Sequence, residues 1–351
     1  MAEAQMLKVA LVRCPPPNWP LPLQNRDWTG IKIDISQTIE VSLRLMREAK
    51  DAGVTLITFP KWREQNDWKK THLASYIENS LEIGSREWNT LIDGIKSVGI
   101  WAAVAFSERS ANHIYMAQAL ISKDGEVVMH RRKLRPSGSE RDMFSDGTVD
   151  QLKVVNTPLG RVGMLQCGEY GSPCVDPKSF FDGVHFYPSM NFIMAAQRPK
   201  LHIGAWPFAM DFGDDSDSIF YNASLVTRGA GSYALNSGAY VLMPSIGYCF
   251  IYDPMMRIVA AMDNTVDYQE HPILYHTLDG SELHGTQDHD PNAQASWAVL
   301  QQLNDAFPVT IPREQGSLVP RREKSVQYLT SAEMRWSEIA PGTPWPEHLA
   351  Q

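Results

Sequence analysis

Residues 162–166 form a short apolar run that ends at a cysteine, within the stretch Gly163-Met-Leu-Gln-Cys167-Gly-Glu169-Tyr-Gly-Ser-Pro173. A run of that length bounded by turn residues reads as a buried strand, and the glycines at 168 and 171 turn the chain directly after it. Upstream, residues 154–161 supply a second strand and the turn Pro158-Leu159-Gly160, so the two runs predict a hairpin whose ladder stops at Cys167. A fold containing this hairpin presents a thiol at the open end of a sheet, with room beside it for a ligand, which is how nucleophiles are displayed. Taken alone, the same cysteine is equally a small buried hydrophobe, because free thiols are among the most buried side chains.

The rest of the chain alternates strands with helices. Residues 8–13 read as a strand, and the prolines of 15–22 then force a loop. Residues 36–51 carry apolar positions at 39, 41, 43, 45 and 46 with Gly53 as a stop, predicting an amphipathic helix. A strand over 54–59 is closed by Pro60. A helix over 81–98 takes Ser85 as its N-cap and Glu87 in its first turn. A strand over 100–106 follows, then a hairpin of 114–121 and 125–131 across Lys123-Asp124-Gly125. Downstream, 201–207 and 240–245 read as strands, 218–238 as helix-rich, and 247–262 as two hairpin-like segments. The pattern predicts an α/β layered domain with a mixed sheet over residues 1–300. From about residue 280 the chain turns polar, so 301–351 reads as a C-terminal extension that wraps a partner subunit.

Composition narrows the function. The formal net charge of -8 and a single dense basic run, His130-Arg-Arg-Lys133 with Arg135, argue against a nucleic-acid binder. Four scattered cysteines have neither disulfide nor metal-ligand spacing, so a reducing, cytoplasmic setting without a metal or other cofactor is expected. No apolar run approaches the ~20 residues that a membrane-spanning helix needs.

Three blocks in order then carry a resemblance: a strand ending Phe59-Pro60; His130-Arg-Arg-Lys133-Leu-Arg-Pro136-Ser-Gly-Ser-Glu140; and Thr157-Pro-Leu-Gly-Arg161-Val-Gly-Met-Leu-Gln-Cys167-Gly-Glu169. Together they resemble the nitrilase branch of the carbon-nitrogen hydrolases, over roughly residues 7–280. The resemblance implies an αββα sandwich in which glutamate, lysine and cysteine converge, the thiol attacking the carbon of a nitrile or amide. It puts Cys167 on the nucleophile and Lys133 on the lysine, whose ammonium would stabilise developing negative charge. Glu140 falls on a second carboxylate able to orient Lys133. Glu169, Tyr170 and Trp206 are candidates for substrate contact, with anchoring of the turn as the other role for Glu169. Like domains packed face to face in a homo-oligomer are also implied.

Two departures stand out. Where the family carries glutamate after Phe-Pro, this chain has Lys61, and the nearest carboxylate is Glu64 in a rebuilt Trp62-Arg63 loop. The residue after the nucleophile is Gly168, where the family signature has tryptophan. Three readings stay open: a thiol hydrolase with a displaced base, altered chemistry such as hydration or acyl transfer, or an inactive ligand-binding scaffold.

Overall fold

A computed structural model describes residues 6–17, 33–61, 70–170, 189–209, 223–284 and 322–334. The first sheet is built from β1 (Leu7–Val12), β2 (Leu56–Lys61), β3 (Trp101–Ser110), β4 (His113–Ile121) and β5 (Val127–Arg132), with helices α1 (Ile35–Asp51), α2 (Lys70–Glu78) and α3 (Arg86–Val98) interspersed. The second comes from β6 (Val155–Thr157), β7 (Gly160–Gln166) and β8 (Leu201–Ala205), followed, after the short β9 (Phe208–Ala209), by β10 (Tyr240–Met243). After β11 (Ile246–Gly247), it is completed by β12 (Cys249–Tyr252) and β13 (Ile258–Met262), while helices α4 (Ser189–Ala196) and α5 (Ala223–Ser237) flank β8 in sequence. A final strand, β14 (Ile273–Leu278), returns to the first sheet. The orders are β14-β1-β2-β3-β4-β5 and β13-β12-β10-β8-β7-β6.

Both faces of the central strands are apolar, as sheets covered on both sides require. In β1, Ala10 and Val12 face a core shared with Ile39, Leu43 and Met46 of α1 and Leu91 and Ile95 of α3. Val9 and Leu11 point the other way, into a second core with Val162, Met164, Leu201, Ile203 and Leu242. A third core packs Leu165, Val241 and Met243 against Val226, Ala230 and Tyr233 of α5. The layers therefore run helix, sheet, sheet, helix, which is the αββα sandwich. The two sheets bury each other within one chain.

Several local signals act as expected. Asp34 caps α1 by accepting from Gln37 N at 3.2 Å. Ser85 caps α3 by accepting from Trp88 N at 3.1 Å, and Gly99 closes it in the left-handed region. The α3 helix starts at Arg86 rather than at 81, since Leu81 bridges to Glu108 beside β3. Gly94 lets α1 and α3 meet closely, for a Cβ there would run into the Leu43 side chain. Of the extension, residues 322–334 lie against this same domain. Val326 N donates to Asn112 O at 2.6 Å, Arg322 N to Asp146 at 2.8 Å, and Leu329 and Met334 are buried among Tyr76, Met116 and Phe144. No described helix is long and apolar enough to cross a membrane.

Candidate active site

Strand β7 delivers Cys167 into a 3-10 turn, Cys167–Tyr170, and the cysteine itself adopts φ 44. That left-handed conformation disfavours a residue with a Cβ by roughly 1–3 kcal/mol, so the surroundings must hold it. Glu169, fully buried, does most of the holding. Its carboxylate accepts from Gln166 N at 2.8 Å and from Leu134 N at 2.9 Å. It also takes a two-pronged pair from Arg131 at 2.7 and 2.6 Å. Burial alone would raise this carboxyl, yet Arg131, with the Leu134 N–H, keeps it below the usual range. Gln166 precedes Cys167 and Leu134 follows Lys133, so one carboxylate fixes the backbone beside both. Met116 O reinforces the link, accepting from Lys133 N at 2.7 Å and from Gln166 Nε2 at 3.2 Å.

Lys133 follows β5, and its ammonium donates to Glu140 Oε2 at 2.7 Å and to Ser137 Oγ at 3.0 Å. Glu140 is held in turn by a capping box at the 3-10 turn Gly138–Asp142, where Ser137 N donates to Oε2 at 2.7 Å. Lys61 arrives from the other side. The β2–β3 register slips between Thr58 and Lys61, leaving an extra residue beside Pro60, and such a bulge re-aims the side chain that follows it. Lys61 Nζ lies 3.8 Å from Glu140 Oε1 and 3.5 Å from Met116 Sδ, while its backbone N–H reaches Trp206 O on the second sheet at 3.4 Å. Both lysines are 1% exposed. One carboxylate thus faces two lysine amines at the seam between the sheets.

The basic run is spent on internal pairs. His130 and Arg132 bond Glu108 at 2.8 and 2.5 Å, Arg131 binds Glu169, and Arg135 binds Asp146 at 2.9 Å. Every cation of the run has a carboxylate, and no anionic ligand is needed to explain it.

Of the residues singled out in the sequence, Lys61, Lys133 and Glu140 meet at one point, and Cys167 is tied to Lys133 by the shared Glu169 and Met116 bonds. The three candidates for substrate contact, Glu169, Tyr170 and Trp206, are all buried. Glu169 anchors the turn with its carboxylate committed to Arg131 and two backbone N–H groups. Tyr170 and Trp206 are 2% and 4% exposed and sit in the core between the second sheet and α4–α5. Glu64 lies outside the described residues. Sequence reasoning missed Arg131, Ser137 and Met116. For Arg131 a signal existed, since in a strand alternate residues share a face and 131 points inward with 133.

The carbon-nitrogen hydrolase family model matches residues 8–176. That match and the names of the chain's relatives support the nitrilase branch of the family. The chain is 31% identical over 222 residues to an arylacetonitrilase of Hypocrea virens, covering 60% of this chain and 62% of that protein. A cyanide hydratase of Stereum hirsutum is 32% identical over 231 residues, covering 60% and 57%. The matched region thus spans about three-fifths of the length of these curated relatives. Among solved structures, an amidase from Nesterenkonia sp. superposes with TM-score 0.59 at 15% identity, covering 86% of this chain and 97% of that one. A carbon-nitrogen hydrolase from Helicobacter pylori gives 0.57 at 14% identity, covering 79% and 90%. These two likenesses concern the fold.

Proposed function

We propose that the protein hydrolyses the carbon–nitrogen bond of a nitrile or amide through a covalent adduct on Cys167. The observation that carries this reading is the joint fixation of Cys167 and Lys133 by Glu169, with Glu140 closing on the lysine. The sulfur adds to the nitrile carbon and the nitrogen takes up the thiol proton, giving a thioimidate. One water then displaces ammonia to leave a thioester, and a second water releases the carboxylic acid and restores the thiol. An amide enters at the thioester stage with loss of ammonia. Lys133 stabilises the negative charge that builds on nitrogen or oxygen. The names of the relatives make arylacetonitriles the first substrates to try.

Lys61 supports a second reading. Water has to be activated by a base within reach, and the residue after Phe59-Pro60 supplies an amine where the family supplies a carboxylate. With Glu140 shared between two lysines, the base is either Glu64 or a group of the coupled site. A slow second half-reaction turns the same machinery toward hydration or acyl transfer.

Intact-mass spectrometry after incubation with arylacetonitriles and amides tests the first reading: an adduct appears on the parent and is absent from Cys167→Ala. An identical mass shift on both would remove Cys167 from the chemistry. For the base, Lys61→Glu is expected to raise turnover by about 100-fold. Unchanged turnover in Lys61→Glu, together with its loss in Glu64→Gln, would assign the base to Glu64.

A further inference from the structure

Eight buried side-chain polar atoms have no hydrogen-bond partner among the described residues. Six of them sit in one place, the layer between β7–β8 and the helices α4 and α5: Tyr170 Oη, Asn191 Oδ1, both His202 ring nitrogens, Trp206 Nε1 and Tyr233 Oη. The rings pack together, with centroids 4.2 Å apart for His202 and Tyr233, 5.5 Å for Tyr170 and His202, and 5.6 Å for Tyr170 and Tyr233. His202, Tyr170 and Tyr233 are 0%, 2% and 1% exposed. Glycines at 163 and 204 let these side chains come close to the sheet. A Cβ at Gly163 would come within 3.0 Å of His202 Nδ1, and one at Gly204 within 2.9 Å of Tyr170 Oη.

Polar atoms moved out of water and left unpaired forfeit their hydrogen bonds, so a concentration of them at one point calls for a guest that both donates and accepts. Two phenols and an imidazole offer both roles. We propose that this layer holds internal water shared by Tyr170, His202 and Tyr233, and that the hydrated cluster positions the Cys167 turn from behind. Tyr170 is the last residue of that turn, and its carbonyl is held by Asn191 Nδ2 at 2.6 Å. The turn therefore has two anchors: Glu169 grips it through Arg131, and Tyr170 grips it through the shared water to α5. The positioning role rests on Cys167 being the reactive thiol; the hydration does not.

Conservative removal of the hydroxyls separates these statements, because the sign of the stability change depends on the guest. Where water bridges the groups, Tyr170→Phe and Tyr233→Phe each lower the thermal midpoint, by about 2 °C or more. The double variant then loses less than the sum, since both hydroxyls serve the same water. Midpoints that rise in both single variants would overturn the hydration, for an unpaired hydroxyl is better removed. Positioning is read from the alkylation rate of the Cys167 peptide by iodoacetamide, followed by mass spectrometry and independent of any turnover. Tyr170→Phe is expected to change that rate several-fold, and Tyr233→Phe to change it less. An unaltered rate in Tyr170→Phe would overturn the positioning role. Should the parent show no nitrile or amide turnover, both measurements still decide the proposal.

Discussion

The two sides of strand β7 handle buried polarity differently, although Arg131 Nε and Gln166 Oε1 on the charged side are also without a partner. Toward the first sheet, under the Cys167 turn, the charges are matched: Arg131 binds Glu169 in a two-pronged pair and also donates to Gln118 Oε1 at 3.0 Å. Toward α4 and α5, the neutral polar atoms of Tyr170, His202 and Tyr233 find no protein partner. The difference follows from magnitude. An unpaired buried charge is penalised by several kcal/mol or more, whereas an unpaired neutral group forfeits about 1–3 kcal/mol and a water molecule can satisfy it. The charged side consequently bears the larger share of the energy that holds the turn.

This contrast is broken most severely at Glu169. Replacing it by Gln leaves Arg131 buried without its counter-charge, and a loss of roughly 3–5 kcal/mol in unfolding free energy is expected, measurable by denaturant titration. Activity falls with it, because the backbone beside Lys133 and Cys167 loses its common acceptor. A loss below about 1 kcal/mol would mean that the pair does not define the turn.

A smaller effect is expected at Gly204, on the neutral side. An added methyl meets Met243 Sδ and lies 2.9 Å from Tyr170 Oη, so Gly204→Ala overpacks the cluster. Thermal unfolding should report about 1–3 kcal/mol of destabilisation. A variant as stable as the parent would show that Met243 and Tyr170 give way at no cost.

The smallest effect is a pH slope. Burial, aided by the charge of Arg131, pushes the His202 imidazole well below its ordinary 6.5, so the folded state keeps it neutral among Tyr170 and Tyr233. The unfolded chain takes up that proton as pH drops below about 6.5, and the folded state does not. Stability is therefore full above that pH and declines below it, by at most about 1.4 kcal/mol per pH unit from this residue. Glu169 and Glu108 add their own loss only nearer pH 4, where carboxylates with depressed folded values are protonated first in the unfolded chain. In His202→Phe the decline between pH 6.5 and 5 should flatten, and an unchanged slope would place its origin at another histidine.

Much of this molecule is legible in the chain order of residues. Apolar runs with caps at Asp34 and Ser85 define α1 and α3, the hairpin turns define β4–β5 and β6–β7, and the strand-to-cysteine stretch puts Cys167 at a sheet end. These features are local, so propensity and period carry them. Edge strand β14 was not legible, although it pairs with β1 along six residues, because its alternation is weak and its partner lies far back in the chain. The short helices α2 and α4 were missed for a similar reason, since packing rather than sequence pattern sustains them.

The sequence by itself also determined which chemical groups are available: one thiol after a strand, one lysine closing a basic run, and a lysine where a carboxylate was expected. Only the tertiary structure decided how they combine. It turned Arg131 and Glu169 into a buried clamp, brought Glu140 between Lys61 and Lys133, and buried Tyr170 and Trp206 in a core beside α5. Residue type sets what a side chain can donate or accept, but its worth depends on which distant groups share its burial, and that is settled when the two sheets close on each other.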